Sequence, residues 1–233
     1  MTSADVIRHY HQDDLYQKIL EGLRQLDIDL ENITAADLWP VDQFHVGGAQ
    51  STLKLLSKFP LTSTSKVLDV GCGIGGPCRM FAQEYQCQVQ GIDLTPVFVE
   101  TASKLSKLVG LEHLTTFSVA DALELPFEDE RFDVVWTQHV QMNIAHKKRF
   151  YGEMARVLKI EGRLMFHDLF KSTDGSIRYP VPWSEDAANS FLFAFKELEE
   201  LLIGIGFQRT YCNMDNAFAV QFFEQVQSAV KET

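Results

Sequence analysis

The residues with the clearest chemical meaning form a glycine-rich loop that follows a carboxylate. Segment 67–76 reads Val-Leu-Asp-Val-Gly-Cys-Gly-Ile-Gly-Gly, so an apolar β-type run leads into Asp69 and then into Gly71, Gly73 and Gly75. Glycines let the backbone turn sharply and approach a ligand closely, and a proline at position 77 suits the first turn of a helix. The segment therefore predicts a strand, a ligand-binding loop and a helix.

Two classes of ligand bind to such a loop. Gly71, Gly73 and Gly76 match the G-x-G-x-x-G spacing that places a pyrophosphate at a helix N-terminus. The carboxylate of Asp69 is unfavourable beside a pyrophosphate, but it suits S-adenosylmethionine, which carries a cationic α-amine and a sulfonium and has no phosphate. Asp69 favours this cofactor, although the same carboxylate could cap the backbone amides of the loop.

Further acidic residues follow the next two predicted strands. Residues 88–92 read as a strand ending at Asp93, and 93 − 69 = 24 residues separate the two acids, near the ~20 expected for a carboxylate that binds ribose hydroxyls. Asp121 follows the β-rich run 115–119, where the loop would meet an adenine ring. The simpler alternatives are that Asp93 caps the following helix and that Asp121 is a surface turn residue.

Histidines follow the fourth and fifth predicted strands. His139 comes after the run 132–137, and His167 and Asp168 end the fifth run. Any of these three could act as a base, which is needed only if the acceptor has a proton to lose. Because neighbouring side chains of a strand point to opposite faces, at most one of His167 and Asp168 should face the acceptor.

The elements that position these residues alternate between strands and helices from residue 66 onward. Strands joined by helical crossovers lie parallel, with helices on both faces of the sheet, so the sequence predicts a doubly wound α/β fold. Near the C-terminus, a short turn at Asp215 and Asn216 separates the β-like runs 207–214 and 217–223. This spacing predicts a hairpin and an antiparallel last strand.

With these motifs in this order, the chain from about Asp42 to the C-terminus resembles the class I S-adenosylmethionine-dependent methyltransferases. Segments 42–48, 139–144 and 179–183 are similar to the small-molecule branch that includes sarcosine and dimethylglycine N-methyltransferases. The resemblance implies a Rossmann-like, seven-stranded, mostly parallel sheet with an antiparallel last strand. It also implies a helical lid over residues 1–60, a methyltransferase domain over 61–233 and a substrate-side insertion at 169–192.

The resemblance assigns roles to individual residues. The expected catalytic residues are His139, His167 and Asp168, and the expected acceptor-binding residues are Asn143, Tyr179 and Trp183. The expected cofactor-binding residues are Gln43, His45, Gly47, Asp69, Gly71, Gly73, Gly75, Asp93, Leu94, Asp121, Ala122 and Gln138. Packing in the core is the alternative for His45 and for the aromatic residues near position 190.

Composition limits the partners. The 233 residues include 21 basic and 32 acidic side chains, and the net charge of −11 disfavours nucleic acid as a partner. The four cysteines lack the spacing of a zinc site or a disulfide framework, so we expect no metal and a reducing, cytoplasmic location. No window approaches the length of a membrane span, so we expect a soluble, unexported protein. A homodimer is compatible with the sequence, which leaves the oligomeric state open.

Three functions remain open from sequence. The first is methyl transfer to a small molecule, with an amine nitrogen preferred and an oxygen or carbon acceptor as the alternative. The second is a nicotinamide-dependent oxidoreductase, which the same glycines allow. The third is a non-catalytic cofactor-binding regulator.

Overall fold

The computed structural model describes residues 14–43, 45–172 and 176–222, and these residues form an α/β sandwich. Its sheet has five strands in the order β3-β2-β1-β4-β5, and every neighbouring pair is parallel. The strands are β1 (Lys66–Val70), β2 (Gln88–Asp93), β3 (Thr115–Val119), β4 (Phe132–Gln138) and β5 (Leu158–His167). The strand order reverses between β1 and β4, which is where ligands bind in open α/β sheets.

Helices cover both faces of this sheet, as predicted. The α-helices are α1 (Leu15–Gln25), α2 (Trp39–Asp42), α3 (Gly48–Leu56), α4 (Gly76–Tyr85), α5 (Pro96–Leu108), α6 (Lys147–Val157) and α7 (Phe195–Ile205). Short 3-10 turns lie at Ala35–Leu38, Gln141–Asn143 and Ala187–Asn189. No helix in these ranges has the length and apolar character that crossing a membrane requires.

The core consists of layers set by the alternation of side chains along the strands. Val67 and Trp136 face α4, where the rings of Phe81 and Trp136 pack edge to face with centroids 5.3 Å apart. Leu68, the neighbour of Val67 in β1, packs on the opposite face of the sheet, in a cluster that includes Phe150 of α6. Burial on both faces explains why these strands read as continuous apolar runs.

The N-terminal segment packs against the sheet domain. Leu23 of α1 is fully buried in a cluster with Leu105 of α5, whereas Leu26, just beyond the end of α1, is 57% exposed. The carboxylate of Asp42 and the guanidinium of Arg79 form a buried ion pair at 2.8 Å. This pair joins the N-terminal segment to α4 just beyond the glycine loop.

The predicted C-terminal hairpin is wrong. Residues 207–215 have no regular structure and residues 216–222 are helical, so the described residues form five strands rather than seven, and no antiparallel strand joins their sheet. The reason lies at Asp215, whose Oδ1 accepts a hydrogen bond from the N–H of Phe218 at 3.0 Å. Aspartate is a preferred N-cap residue, so the segment that reads as a hairpin turn instead begins a helix. Phe223, the last residue of the predicted strand, lies outside the described residues.

Candidate active site

All the predicted site residues that follow strands lie along one edge of the sheet. Because the five strands are parallel, their carboxyl ends meet at the same edge. The residues that come at or after these ends are Gly71, Gly73 and Gly75 after β1, Asp93 and Leu94 for β2, Asp121 and Ala122 after β3, Gln138 and His139 for β4, and His167 and Asp168 for β5.

The glycine loop has the backbone conformation that its sequence predicts. Gly71 and Gly75 have φ angles of 78° and 82°, in the left-handed region that favours glycine. A Cβ atom on Gly71 would lie 2.3 Å from Cγ2 of Val140. The loop can therefore pack against the segment after β4 only because residue 71 has no side chain. The loop is thereby fixed close to the residues that follow β4.

Asp69 is a buried carboxylate without a cationic side chain as its hydrogen-bond partner. It is 1% exposed, and its Oδ2 accepts a hydrogen bond from the thiol of Cys78 at 3.2 Å. Burial raises the pKa of Asp69 to about 7, and the nearby carboxylate of Asp93 acts in the same direction. A buried carboxylate of this kind is stabilised in its charged form by an arriving cation. Asp69 is therefore suited to a cationic ligand group at the loop.

Asp93 and Asp121 both bind backbone amides. Asp93 accepts hydrogen bonds from the N–H of Gly73 at 3.0 Å and of Thr95 at 2.9 Å, and burial raises its pKa. Asp121 accepts one from the N–H of Leu123 at 2.8 Å. Both acids thus make local bonds to nearby backbone amides, and the ribose and adenine roles stay predictions.

Three histidines from distant parts of the sequence come together at this edge. The ring centroids of His45 and His139 are 6.0 Å apart, those of His45 and His167 are 5.8 Å apart, and those of His139 and His167 are 5.3 Å apart. We call these residues the histidine cluster. Burial lowers the pKa of His45 to about 4 and that of His139 to about 3, and it also lowers the pKa of His167. All three imidazoles are therefore neutral at pH 7.

Hydrogen bonds orient two rings of the cluster. Nε2 of His45 lies 2.8 Å from the carbonyl oxygen of Gly48, which can only accept, so Nε2 carries the proton and Nδ1 keeps its lone pair. The amide Nε2 of Gln138 donates to Nδ1 of His167 at 3.0 Å, given the amide orientation assigned by these contacts. Thr52 lies beside both groups, 3.0 Å from Nε2 of His45 and 3.4 Å from Nε2 of Gln138.

The structure separates His167 from Asp168, as strand alternation predicts. His167 belongs to the histidine cluster, whereas Asp168 lies near Lys147 and Tyr151 of α6. Burial lowers the pKa of Lys147 and raises that of Tyr151, and the nearby carboxyl of Asp168 acts upward on both pKa values. Burial also raises the pKa of Asp168 well above its usual range. Of the two residues, His167 is the one placed with the other candidate bases.

The remaining predicted residues lie in segments that do not directly follow a strand end. The amide Nε2 of Gln43 would be 2.7 Å from a Cβ on Gly76, so Gln43 lies against the start of α4, and Gly47 has a left-handed φ of 80°. The indole of Trp183 donates to Oγ of Ser190 at 3.0 Å, within segment 169–192, which was predicted to be a substrate-side insertion. Asn143 ends the turn after His139, and Tyr179 is half-buried in the same segment 169–192. Ring contacts and hydrogen bonds of the described residues do not join Tyr179 or Trp183 to the histidine cluster.

Sequence reasoning missed Thr52, Arg79 and Lys147. Thr52 and Arg79 gave no signal, because the contacts of Thr52 with Gln138 and of Arg79 with Asp42 join residues that are 86 and 37 positions apart. Lys147 did give one, because a lysine at the first position of a helix opposes the helix dipole. Groups of three side chains that could bind a metal ion do not occur among the described residues, and the four cysteines are free.

Comparison with known proteins adds to this geometry. Residues 68–166 match the family described as a methyltransferase domain. The chain is 42% identical over 100 residues to the chloroplastic tocopherol O-methyltransferase of Arabidopsis thaliana, covering 43% of this chain and 29% of the relative. It is 30% identical over 129 residues to the glycine/sarcosine/dimethylglycine N-methyltransferase of Actinopolyspora halophila, covering 55% and 23%. The chain thus spans less than a third of the length of either relative.

A solved structure is similar over a larger part of the chain. The cyclase SpnF covers 96% of this chain with 79% of its own, at 26% identity and a TM-score of 0.74. The match covers the α/β sandwich with its parallel five-stranded sheet.

Proposed function

Because the chain belongs to the class I S-adenosylmethionine-dependent methyltransferases, we propose that it transfers the methyl group of this cofactor to a small molecule. The observation that carries the proposal is the buried carboxylate of Asp69 at the glycine loop, on the edge of the sheet that also holds the histidine cluster. In this proposal, one edge of the sheet offers a carboxylate for the cationic cofactor and neutral imidazoles that can accept a proton. When bound, the cofactor supplies an electrophilic methyl group whose leaving group departs neutral.

The residues of the chain have distinct roles in this proposal. Asp69 binds the methionine amine and Asp93 binds the ribose hydroxyls, while Leu94, Asp121 and Ala122 surround the adenine. The glycine loop approaches the cofactor closely. Segment 1–60 is the lid, in which Gln43, His45 and Gly47 lie toward the methionine end of the cofactor. Gln138 lies on the other side of the cofactor. Buried Gln43, whose amide oxygen makes no hydrogen bond of good geometry, supports this arrangement.

We assign the acceptor to the side of the histidine cluster. His139 or His167 takes the proton that a hydroxyl or an amine must lose, and neutral imidazoles can accept one. The alignment of the two reactants and the exclusion of water are worth ~7 to 11 kcal/mol in well-oriented reactions, so the base contributes a minor part of the rate. Asp168, on the α6 side, acts through Lys147 rather than on the acceptor.

An amine nitrogen is the preferred acceptor atom. The relative from Actinopolyspora halophila acts on amines by its name, and segment 179–183 supplies Trp183 and Tyr179, whose rings can attract an ammonium product by ~0.5 to 2 kcal/mol each. The alternative is an oxygen acceptor, supported by the relative named as an O-methyltransferase. The net charge of −11 supports a small molecule rather than a nucleic acid.

The test is turnover with S-adenosylmethionine and a panel of sarcosine, dimethylglycine, a phenol and an activated carbon acid. We expect S-adenosylhomocysteine release together with an acceptor that is heavier by one methylene unit. Turnover on the phenol alone would refute the preference for nitrogen and leave methyl transfer intact. Tight binding of a nicotinamide cofactor in calorimetry, with S-adenosylmethionine not bound, would refute the whole proposal.

A second candidate is a reaction other than methyl transfer at the same site, because the similar structure of SpnF is named a cyclase. This candidate predicts binding of the cofactor without release of S-adenosylhomocysteine for every acceptor in the panel. Calorimetry combined with the turnover assay therefore separates the two functions. A homodimer and a cytoplasmic location remain predictions, and light scattering after size-exclusion chromatography tests the dimer.

A further inference from the structure

Lys147 is a buried cation bonded to three backbone carbonyls. It begins α6 and is 2% exposed. Its Nζ donates to the carbonyl oxygen of Ile144 at 2.6 Å and of Phe191 at 2.7 Å, and it also contacts the carbonyl oxygen of Gln141. The ring of Phe193 lies 5.1 Å from the ammonium.

The contacts require the charged form of this lysine. Carbonyl oxygens only accept hydrogen bonds, and an ammonium has three N–H donors, one for each of the three carbonyls, whereas a neutral amine has two. Asp168 favours the charge, while burial lowers the pKa of Lys147 to about 8. The dipole of α6 disfavours a cation at this end, so the favourable interactions of Lys147 are its bonds to the three carbonyls and its contact with Phe193.

The three carbonyls belong to two segments that are distant in sequence. Gln141 and Ile144 lie in the turn that follows His139, and Phe191 lies at the end of the 169–192 insertion. The N–H of Phe191 also donates to the carbonyl of Met142 at 2.8 Å. At the start of the insertion, the side chain of Gln141 donates to the carbonyl oxygen of Leu169 at 2.9 Å. Both ends of the insertion are thus bonded to the turn that adjoins the histidine cluster.

We propose that Lys147 is a positioning residue that fixes the 169–192 insertion against the turn after His139 and thereby shapes the acceptor side of the site. Lys147 contacts neither the acceptor nor the cofactor in this scheme. The part that concerns the acceptor rests on the proposed function, whereas the attachment of the insertion does not.

The first test is limited trypsin digestion of Lys147→Met, which keeps a similar length and removes the charge. The control is Lys148→Met, the next residue of α6, which is exposed and carries the same charge. Arg178 is exposed inside the insertion, and Arg131 is an exposed reference site in the sheet domain. Loss of three charge-assisted hydrogen bonds should speed cleavage after Arg178 by about tenfold or more relative to cleavage after Arg131, with Lys148→Met unchanged.

Equal acceleration at both sites would indicate a global structural role and overturn the proposal, as would unchanged cleavage at Arg178. If Lys147→Met does not fold, the wild-type protein provides the test. The titratable groups on this side are Asp168, the residue after β5, and Tyr151, on α6. Cleavage after Arg178 relative to Arg131 should rise as the pH passes through about 8, and a flat ratio would refute the attachment by Lys147.

The kinetic test uses whichever acceptor of the panel the wild-type protein methylates. We expect Lys147→Met to raise KM for that acceptor by about tenfold or more, while the Kd for S-adenosylhomocysteine stays within about twofold of wild type. Equal losses of cofactor and acceptor binding would contradict a role on the acceptor side. Absence of turnover in the wild type would count against the proposed function, and the digestion pattern would still decide whether Lys147 fixes the insertion.

Discussion

Cofactor affinity should depend on the ionisation of Asp69. The folded protein raises the pKa of this carboxyl from 3.8 to about 7, mainly through burial. At about 1.4 kcal/mol per pH unit, this shift corresponds to roughly 4 kcal/mol of disfavoured charge in the folded protein without its ligand. The folded protein holds the proton of Asp69 more tightly than the unfolded chain does. The contribution of Asp69 to stability is therefore greatest below pH 3.8 and falls as the pH rises toward 7.

A cationic ligand favours the charged form of Asp69 over the protonated form, because it binds the carboxylate. Asp69 is ionised to about a tenth at pH 6 and to about half at pH 7, so the affinity for S-adenosylmethionine should rise about fivefold between these values. The α-amine of an amino acid titrates near pH 8, so the ligand stays mostly cationic over this interval. Burial keeps His45 and His139 neutral there, with pKa values of about 4 and 3.

Isothermal titration calorimetry in buffers of different ionisation enthalpy measures both the affinity for the cofactor and the number of protons released when it binds. We expect most of one proton to be released per cofactor bound near pH 6, and less at higher pH. The matched variant is Asp69→Asn, which should bind more weakly and lose most of the pH slope, with Asp93 accounting for the remainder because burial raises its pKa too. An affinity that is flat with pH in the wild type, or a slope that survives in Asp69→Asn, would refute the role of Asp69.

Three further predictions concern single contacts. Asp42→Asn leaves the buried guanidinium of Arg79 without its charge partner, so urea unfolding should show a loss of about 3 to 5 kcal/mol, much of it regained when Asp42→Leu is combined with Arg79→Met. His139→Ala should lower kcat for an acceptor that must lose a proton by about a hundredfold while calorimetry shows unchanged binding of S-adenosylhomocysteine; equal binding losses would contradict a base. Gly71→Ala should weaken cofactor binding far more than Gly73→Ala, because both glycines have positive φ angles but a Cβ at position 71 alone meets a side chain within 4 Å.

Much of the sheet was predictable because local sequence specifies it. Segments 115–119 and 88–93 appear as strands at the expected residues, since a short β-branched or apolar run between turn residues has few other structures available. The carboxyl-edge location of Asp93, Asp121 and His139 followed from strand direction alone. Parallel strands connected by helices leave one edge for all the residues that come after them.

The errors arose where a local signal has two meanings. Asp215 before Asn216 is typical of a hairpin turn, but aspartate is equally a helix N-cap, and the N–H of Phe218 satisfies it in that second role. The histidine cluster was not predictable as a unit. His45 lies in the N-terminal segment, and the packing of that segment on α4 and α5, through partners such as Arg79 and Leu105, brings its ring to β4 and β5.

The capping and ligand-binding interpretations of Asp93 are compatible. A carboxylate offers about four lone pairs, and the amides of Gly73 and Thr95 occupy one on each oxygen, so each oxygen can still accept a bond from a ribose hydroxyl. The bond that orders the glycine loop is therefore compatible with the proposed ribose contact of Asp93. The two functions are coupled, because the amide bonds that fix Gly73 also hold the carboxylate at the strand end. From sequence, local amide bonding and ribose binding by Asp93 were alternatives, whereas the observed amide bonds are compatible with the proposed ribose contact.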